Sequence, residues 1–324
     1  MVTTSVPEGK ILVGTDGSEK AQRAVAWAAR EAEMRGSTLT ILTAWTAEHL
    51  ADATLWAAGA SGSKLLEDIR AQQVADATGL VEKAAQSVRQ RYPDLDVHTI
   101  AIEGDARHAL VEYGSDASLV VVGSRGRGPI ASVALGSVAF WLTRHATMPL
   151  AVVPTGSSHV SDAIDHSGVV AGVSLDPLSS KVVEAAAQEA EERRCDLVLA
   201  YCAWDGEASR HGWDHVTESE LDSAGVELVE RLARITKDEY PHLVIRQRFA
   251  RGSADHFLAD ISARREVLVL GRRKANPLDL VGLGSVATAV FHDASCVVIV
   301  VPLTQEDDAE LAAEGRVFLP AHAG

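Results

Sequence analysis

The sequence repeats itself, and this repetition limits the possible folds more than any other feature. Short apolar runs alternate with segments of helical periodicity in both halves, and Gly271 and Gly284 repeat the spacing of Gly123 and Gly136. Such self-similarity indicates an internal duplication. The chain has 324 residues, enough for two domains that each bury a core of their own. We therefore predict two copies of one domain.

Each copy alternates strands and helices. In the first half, the apolar runs that predict strands are 11–13, 38–45, 97–102, 119–122 and 150–153. This alternation predicts a parallel sheet, because parallel strands need long crossover connections and right-handed crossovers place helices on the faces of the sheet. The predicted fold class is α/β, with an open five-stranded parallel sheet and helices on both faces in each copy.

The domain boundaries are predicted from local composition. Residues 1–155 form the first domain and residues 168–303 form the second. The segment 156–167 is rich in Ser, Asp and His and is interpreted as a linker. Residues 304–324 are acidic and Ala-rich, which is typical of a tail.

Charge and apolar content exclude several classes of function. The formal net charge of −15 and a pI near 5.2 argue against nonspecific nucleic-acid binding, which relies on dense Lys and Arg faces. No apolar stretch is long enough to span a bilayer, and Met1 to Lys10 lack the apolar core of a signal peptide. We expect a cytoplasmic protein without membrane contact. Cys195, Cys202 and Cys296 form no CxxC pair, so we expect buried free thiols and no metal site.

The stretch that is most informative about chemistry follows the fourth apolar run of the first half. Gly123 and Gly126 come directly after this run, and Gly136 and Ser137 begin the next helical pattern. Glycines let a ligand approach the backbone and its N–H groups, and the start of a helix favours anions. Arg125 adds positive charge to this loop of an acidic protein. The stretch therefore predicts a site for a small anionic ligand.

The spacing Gly-x2-Gly-x9-Gly-Ser between a strand and a helix resembles the ATP-binding signature of the universal stress protein family. The resemblance covers both halves, from Lys10 to Pro302. It implies flavodoxin-like, Rossmann-like domains that hold ATP in the crevice where strand order reverses, beside the first and fourth strands. Mg²⁺ is compatible with a bound triphosphate, although the sequence has no dedicated pattern of Mg²⁺ ligands. The choice of adenine over other bases rests on the resemblance alone.

The resemblance also assigns roles to residues of the first half. Asp16, after the first strand, goes to the nucleoside end, although its position alone equally predicts a cap of the following helix. The backbone near Ala44, whose counterpart in the second half is aligned as Ala203, goes to the adenine. The ribose and phosphates are assigned Gly123, Gly126, Gly136, Ser137 and Val138, with Arg125 beside them.

The second half departs from this pattern. Asp176, Gly271, Gly284 and Ser285 are its candidate ligand residues, but Lys274 replaces the second glycine of the loop. The lysine side chain occupies a position where close backbone approach is needed. We therefore expect a second site that is weak or empty, in which Lys274 can still attract phosphate by its charge.

The sequence lacks the motifs of hydrolytic enzymes. It has no HExxH motif and no recognisable Ser/His/Asp arrangement, and its glycine loop lacks the lysine of a P-loop. Three hypotheses remain. The first is an ATP-binding stress-response or signalling module whose bound state changes its association with partners. The second is a slow ATP hydrolase at the same site. The third is a partner-binding protein with vestigial sites, which the intact first motif disfavours. We predict no catalytic residues and at most weak ATPase activity.

The last predicted strand of each half is a candidate for pairing with a strand of the other half or of a second chain. The runs 150–153 and 297–301 are apolar and β-branched, and an uncovered sheet edge invites pairing with another strand. We expect either a homodimer or pairing of the two halves, with an adenine nucleotide as the small-molecule partner.

Overall fold

The computed structural model describes residues 9–46, 62–124, 135–154, 168–176, 179–204, 213–215, 223–273, 290–291 and 294–303. The chain divides into two compact units, with 1–142 and 146–155 in the first and 143–145 and 156–324 in the second. Each unit has the α/β organisation that the alternation of apolar runs predicted.

Strands and helices alternate through the first unit. In chain order its elements are β1 (Lys10–Gly14), α1 (Glu19–Arg35), β2 (Thr38–Trp45), α2 (Gly62–Arg91), β3 (Val97–Glu103), α3 (Ala106–Gly114), β4 (Leu119–Gly123), α4 (Ser137–His145) and β5 (Leu150–Val153). The strands lie in the order β3-β2-β1-β4-β5 and run parallel to one another. The parallel sheet predicted from the sequence is confirmed.

The centre of this sheet is buried on both faces. Ile11, Leu12 and Val13 of β1 have 0% exposure, as do Val120 and Val121 of β4. A strand that is buried on both faces has a continuous apolar sequence instead of an alternating one. This is why short runs of branched apolar residues were sufficient to predict these strands.

The helices cover the two faces of the sheet in pairs. The chain passes from β1 to β3 in one direction and from β3 to β4 and β5 in the other. Right-handed crossovers therefore place α1 and α2 on one face and α3 and α4 on the opposite face. His108 of α3 and Trp141 of α4 meet edge to face, with ring centroids 5.4 Å apart. The strand order reverses between β1 and β4, which opens a crevice at their carboxyl ends.

The amino end of α3 is closed by the side chain of Asp105. Its carboxylate accepts a 2.8 Å hydrogen bond from the backbone N–H of Arg107 and a 2.5 Å bond from the guanidinium of the same residue. The guanidinium holds the pKa of Asp105 well below its usual range, at about 2. The carboxylate is therefore charged at neutral pH, which favours it at the positive end of a helix.

The second unit repeats this arrangement and adds one strand. Its elements are β6 (Val169–Val173), α5 (Ser179–Arg193), β7 (Leu197–Trp204), β8 (Trp213–His215), α6 (Ser223–Glu239), β9 (Ile245–Gly252), α7 (Ala254–Ser262), β10 (Val267–Arg273) and β11 (Val297–Leu303). The order β11-β10-β6-β7-β9-β8 is parallel except for β8, which runs antiparallel to β9. The sequence pattern did not predict β8, because a strand of three residues has no usable periodicity.

The three cysteines are free thiols, as the sequence predicted. Cys296 is buried and Cys195 and Cys202 are partly buried, all as free thiols. Burial raises the pKa of Cys202 and of Cys296 to about 11, so both thiols are uncharged at neutral pH. Within the described ranges, no helix combines the length and the apolar character that a membrane crossing requires.

Candidate functional site

The β1–α1 turn forms one side of the crevice in the first unit. The backbone N–H of Thr15 donates to the carbonyl oxygen of Leu42 at 2.8 Å, which keeps the start of the turn attached to the sheet. Gly17 has φ +77°, a value that glycine adopts without strain, and its N–H donates to Thr15 Oγ1 at 3.2 Å. The turn is therefore fixed by its own backbone and by the hydroxyl of Thr15, which is buried.

Asp16 lies within this turn, and the structure separates its two predicted roles. Asp16 Oδ1 accepts a 3.0 Å hydrogen bond from the N–H of Ser18, which is an Asx-turn arrangement. The cap of α1 is Ser18, whose hydroxyl oxygen accepts from the N–H of Ala21 at 3.2 Å. Asp16 thus orders the turn but is not the N-cap. Its carboxylate is partly exposed at the crevice, and a carboxylate has more than one acceptor position.

The backbone of Ala44 is oriented toward the crevice. The Leu42 carbonyl accepts from Thr15 on the β1 side of β2, whereas the Trp45 carbonyl accepts from Gly104 at 2.8 Å on the β3 side. Backbone groups of alternate residues in a strand point to the same side, so the N–H and C=O of Ala44 point toward β1, beyond the point where β1 ends. A planar base with a donor and an acceptor can bind backbone groups placed in this way.

The end of β4 and the start of α4 form the other side of the crevice. Gly123 is paired with Val153, and the N–H of Ser124 donates to the Val153 carbonyl at 2.8 Å. The N–H of Gly136 then donates to the Ser124 carbonyl at 2.7 Å. These two bonds hold Gly136, at the start of α4, beside the end of β4. Ser124 is buried, and its role was not predicted, although its position directly after the loop glycine would have indicated it.

The helix that begins at this point has no side-chain cap. Gly136 is the N-cap of α4 with extended backbone, φ −65° and ψ 158°, and it makes no side-chain cap bond. The amino ends of α1 and α3, in contrast, are capped by the side chains of Ser18 and Asp105. The first-turn amides of Ser137 and Val138 thus have no N-cap acceptor, and the positive end of the helix dipole favours an anion there.

The structure brings most of the predicted residues of the first half to one edge of the sheet. The carboxyl ends of β1, β2 and β4 and the start of α4 carry Asp16, Ala44, Gly123, Gly136, Ser137 and Val138. Arg125 and Gly126 lie outside the described residues, so their assignment stays a prediction.

The strand register revises the counterparts that the sequence suggested in the second half. Val13 pairs with Val121 and Ala171 pairs with Val269, and each of these partners lies two residues before the loop glycine. When residues are counted from these pairs, Ser174 corresponds to Asp16 and Asp176 corresponds to Ser18. Counted from the strands, Asp176 lies two residues beyond the counterpart of Asp16, because the β6–α5 turn is two residues longer; counted from the start of the helix, Asp176 keeps the place of Asp16.

The same comparison corrects the alignment of the second strand. Ala44 is paired with Ile102, which lies two residues before Gly104. In the second unit, Cys202 is paired with Ala250, which lies two residues before Gly252. Cys202 is therefore the counterpart of Ala44, and the alignment of Ala203 with Ala44 is wrong by one residue.

Gly271 of β10 is retained for packing. A Cβ on Gly271 would lie 2.7 Å from Leu303 Cδ1 and 2.8 Å from Val182 Cγ2. Side chains of β11 and α5 thus fill the space on the side of Gly271 where a Cβ would lie. The other candidate residues of the second half, Lys274, Gly284 and Ser285, lie outside the described residues.

The comparisons with known proteins agree with this architecture. The sequence pattern of the Universal stress protein family matches residues 9–154 and 168–302. A universal stress protein of Mycobacterium tuberculosis is 31% identical over 302 residues, which cover 90% of this chain and 95% of the relative. One of Mycobacterium bovis is 30% identical over 304 residues, covering 90% and 96%.

A solved structure shows the same fold. The crystal structure of a universal stress protein from Archaeoglobus fulgidus matches with a TM-score of 0.60 at 14% identity, over 91% of this chain and 96% of its own. Since the family pattern matches each half of the sequence and each half forms the same α/β unit, this chain belongs to the universal stress protein family and carries the family's domain twice.

Proposed function

We propose that this protein binds ATP in the crevice of its first unit and acts as a stress-response or signalling module whose nucleotide state changes its association with partners. The observation that carries the proposal is the start of α4. A glycine without a side-chain cap bond begins this helix directly at the base of the glycine loop. The amides and dipole of such a helix end suit a phosphate group.

The remaining groups of the crevice match the other parts of a nucleotide. The carboxylate of Asp16 lies at the end of β1, where it can accept hydrogen bonds from ribose hydroxyls. The backbone N–H and C=O of Ala44 point to the same region and offer one donor and one acceptor to a base. Mg²⁺ would enter with the triphosphate, since Mg²⁺ is commonly held by substrate phosphates and water together with few protein ligands.

The other expectations from the sequence remain proposals as well. These are the domain limits at 155 and 168, the acidic tail from 304, a cytoplasmic location, and association as a homodimer or through pairing of the two halves at β5 and β11. Slow hydrolysis of ATP is the alternative activity at the same crevice.

The decisive experiment identifies what the purified protein carries. The protein is denatured and the released small molecules are analysed by mass spectrometry, and protein stripped of ligand is then titrated with ATP and with GTP by calorimetry. We expect release of an adenine nucleotide and tighter binding of ATP than of GTP. Absence of nucleotide together with absence of heat at millimolar ATP would refute the proposal. Incubation under single-turnover conditions separates binding from hydrolysis, because only a hydrolase releases ADP.

A further inference from the structure

The strand that contains the loop glycine is longer in the second unit than in the first, a difference that the glycine spacing does not reveal. In the first unit, the pairing of β4 with β5 ends at Gly123 and the chain leaves the sheet at Ser124. In the second unit, the pairing of β10 with β11 continues past Gly271, through Arg272 and Arg273. The backbone that would have to turn toward a phosphate thus remains part of the sheet.

This continuation determines where the side chain of Arg273 lies. The Cα–Cβ direction of Gly271 points at Val182 of α5, and residues two apart in a strand share a face. Arg273 therefore lies on the face that α5 covers, at the carboxyl end of the sheet. From there its guanidinium reaches across to the β6–α5 turn.

Arg273 forms a bidentate ion pair with Asp176 in that turn. Arg273 Nη2 donates to Asp176 Oδ1 at 2.7 Å, and Arg273 Nε donates to Asp176 Oδ2. Two parallel bonds between a guanidinium and a carboxylate form a specific geometry. The pair spans the ends of β6 and β10, which are adjacent strands and correspond to the two strands that border the crevice in the first unit.

The β6–α5 turn is also closed by its own hydrogen bonds. The N–H of Ser174 donates to Ser179 Oγ at 3.1 Å, and the Ser179 hydroxyl donates to the Ser174 carbonyl at 2.8 Å. Ser179 is 2% exposed, so these bonds are shielded from water. Ser174, which takes the place of Asp16, brings no carboxylate to the crevice.

The exposure of the Asp176–Arg273 ion pair limits how much it contributes to closing the crevice. The side chains of Asp176 and Arg273 are 26% and 48% exposed. An ion pair this exposed shifts an equilibrium by no more than about fivefold. The pair therefore acts together with the continued strand, which keeps backbone groups beyond Gly271 in the sheet, and it engages the Asp176 carboxylate that would otherwise face a ligand.

Building on the proposed ATP site of the first unit, we propose that the continued strand β10 and the Asp176–Arg273 ion pair close the second crevice, so that each chain binds nucleotide in its first unit alone. Duplication would then have kept one unit for the ligand and converted the other into a closed unit.

Photolabelling with 8-azido-ATP, followed by peptide mapping of the full-length protein, tests where the nucleotide binds. We expect label only in peptides from residues 9–154, competed by ATP, and one ATP per chain by calorimetry. Competable label in residues 168–303, or two ATP per chain, would overturn the inference and leave the proposed function intact. Binding of no ATP at all would instead refute the proposed function.

A double-mutant cycle tests the ion pair without any nucleotide. The variants are Asp176→Asn, Arg273→Gln and the combination of both. If the pair forms in solution, each single variant lowers the melting midpoint and the double variant lowers it by less than the sum of the two. Strict additivity would show that the side chains are not coupled, which overturns the inference even if no nucleotide binds.

Discussion

The backbone N–H of Gly136 donates a 2.7 Å hydrogen bond to the carbonyl oxygen of Ser124. This bond joins the end of β4 to the residue directly before α4, so Ser124 and Gly136 are held together. It also holds the uncapped end of α4 beside the end of β4. A change at Gly136 should therefore affect helix stability and ligand affinity in opposite directions.

We expect Gly136→Asp to stabilise the protein slightly and to weaken ATP binding. An N-cap aspartate accepts from the first-turn amides, and its advantage over glycine is a few tenths of a kcal/mol. The same carboxylate occupies the amides that we assign to phosphate and repels the triphosphate, so affinity should fall about tenfold or more. Chemical denaturation and calorimetry measure the two effects.

Gly136→Ser is the matched control for this experiment. Serine caps the helix as aspartate does but carries no charge, so it should give a similar gain in stability with a smaller loss of affinity. If both variants bind ATP as tightly as the unmodified protein, the start of α4 is not the phosphate site.

Asp16→Ala should reduce ATP affinity by about 10- to 100-fold, because hydrogen bonds to a charged group contribute about 1.5–3 kcal/mol each. Calorimetric titration measures the loss. Asp116→Ala is the control: this carboxylate pairs with Lys10 at 2.7 Å, and Lys10 begins β1, at the edge of the sheet opposite the crevice. Its removal should leave affinity unchanged within twofold. Equal affinities of the two variants would remove Asp16 from the site.

The charge of Asp105 should make stability depend on pH at low pH. Arg107 lowers the pKa of Asp105 from 3.8 to about 2. The carboxylate therefore stabilises the folded state at every pH above the pKa that Asp105 has in the unfolded chain. This contribution is lost as pH falls from about 4 to about 2. We expect the protein to melt higher than Asp105→Asn near neutral pH, with the difference shrinking over that range. A difference that persists unchanged at pH 2 would contradict the assignment. Circular dichroism melts between pH 2 and 7 provide the test.

Two glycine-to-alanine substitutions should have opposite effects on stability. At Gly271 the new methyl group would meet Leu303 and Val182 at less than 3 Å, so we expect a loss of about 1–3 kcal/mol. Gly79 lies exposed in α2 with nothing within 4 Å of its Cβ position, so alanine there should add about 0.5–1 kcal/mol. Denaturant unfolding of both variants compares them directly. Equal stability of the Gly271 variant would show that β10 and α5 are less tightly packed than the structure indicates.

The sequence alone determined that the chain is a duplicated α/β protein with parallel sheets. Strands buried on both faces have continuous apolar sequences such as Ile11 to Val13, and their spacing by helical segments admits only crossover connections. The glycine spacing likewise located the start of α4 at Ser137. These features depend on local sequence, so they can be recognised before any packing is known.

The sequence showed that Lys274 replaces a glycine in the second copy, but the tertiary structure decided the other differences between the copies. A turn can lengthen by two residues while the order of strands and helices stays the same, so the pattern of the sequence hides the change. The register of strand pairing reveals it, because pairing relates residues that are far apart in the chain. It places Ser174 where Asp16 lies, keeps Arg273 in the sheet, and brings its guanidinium to Asp176 across 97 residues of sequence.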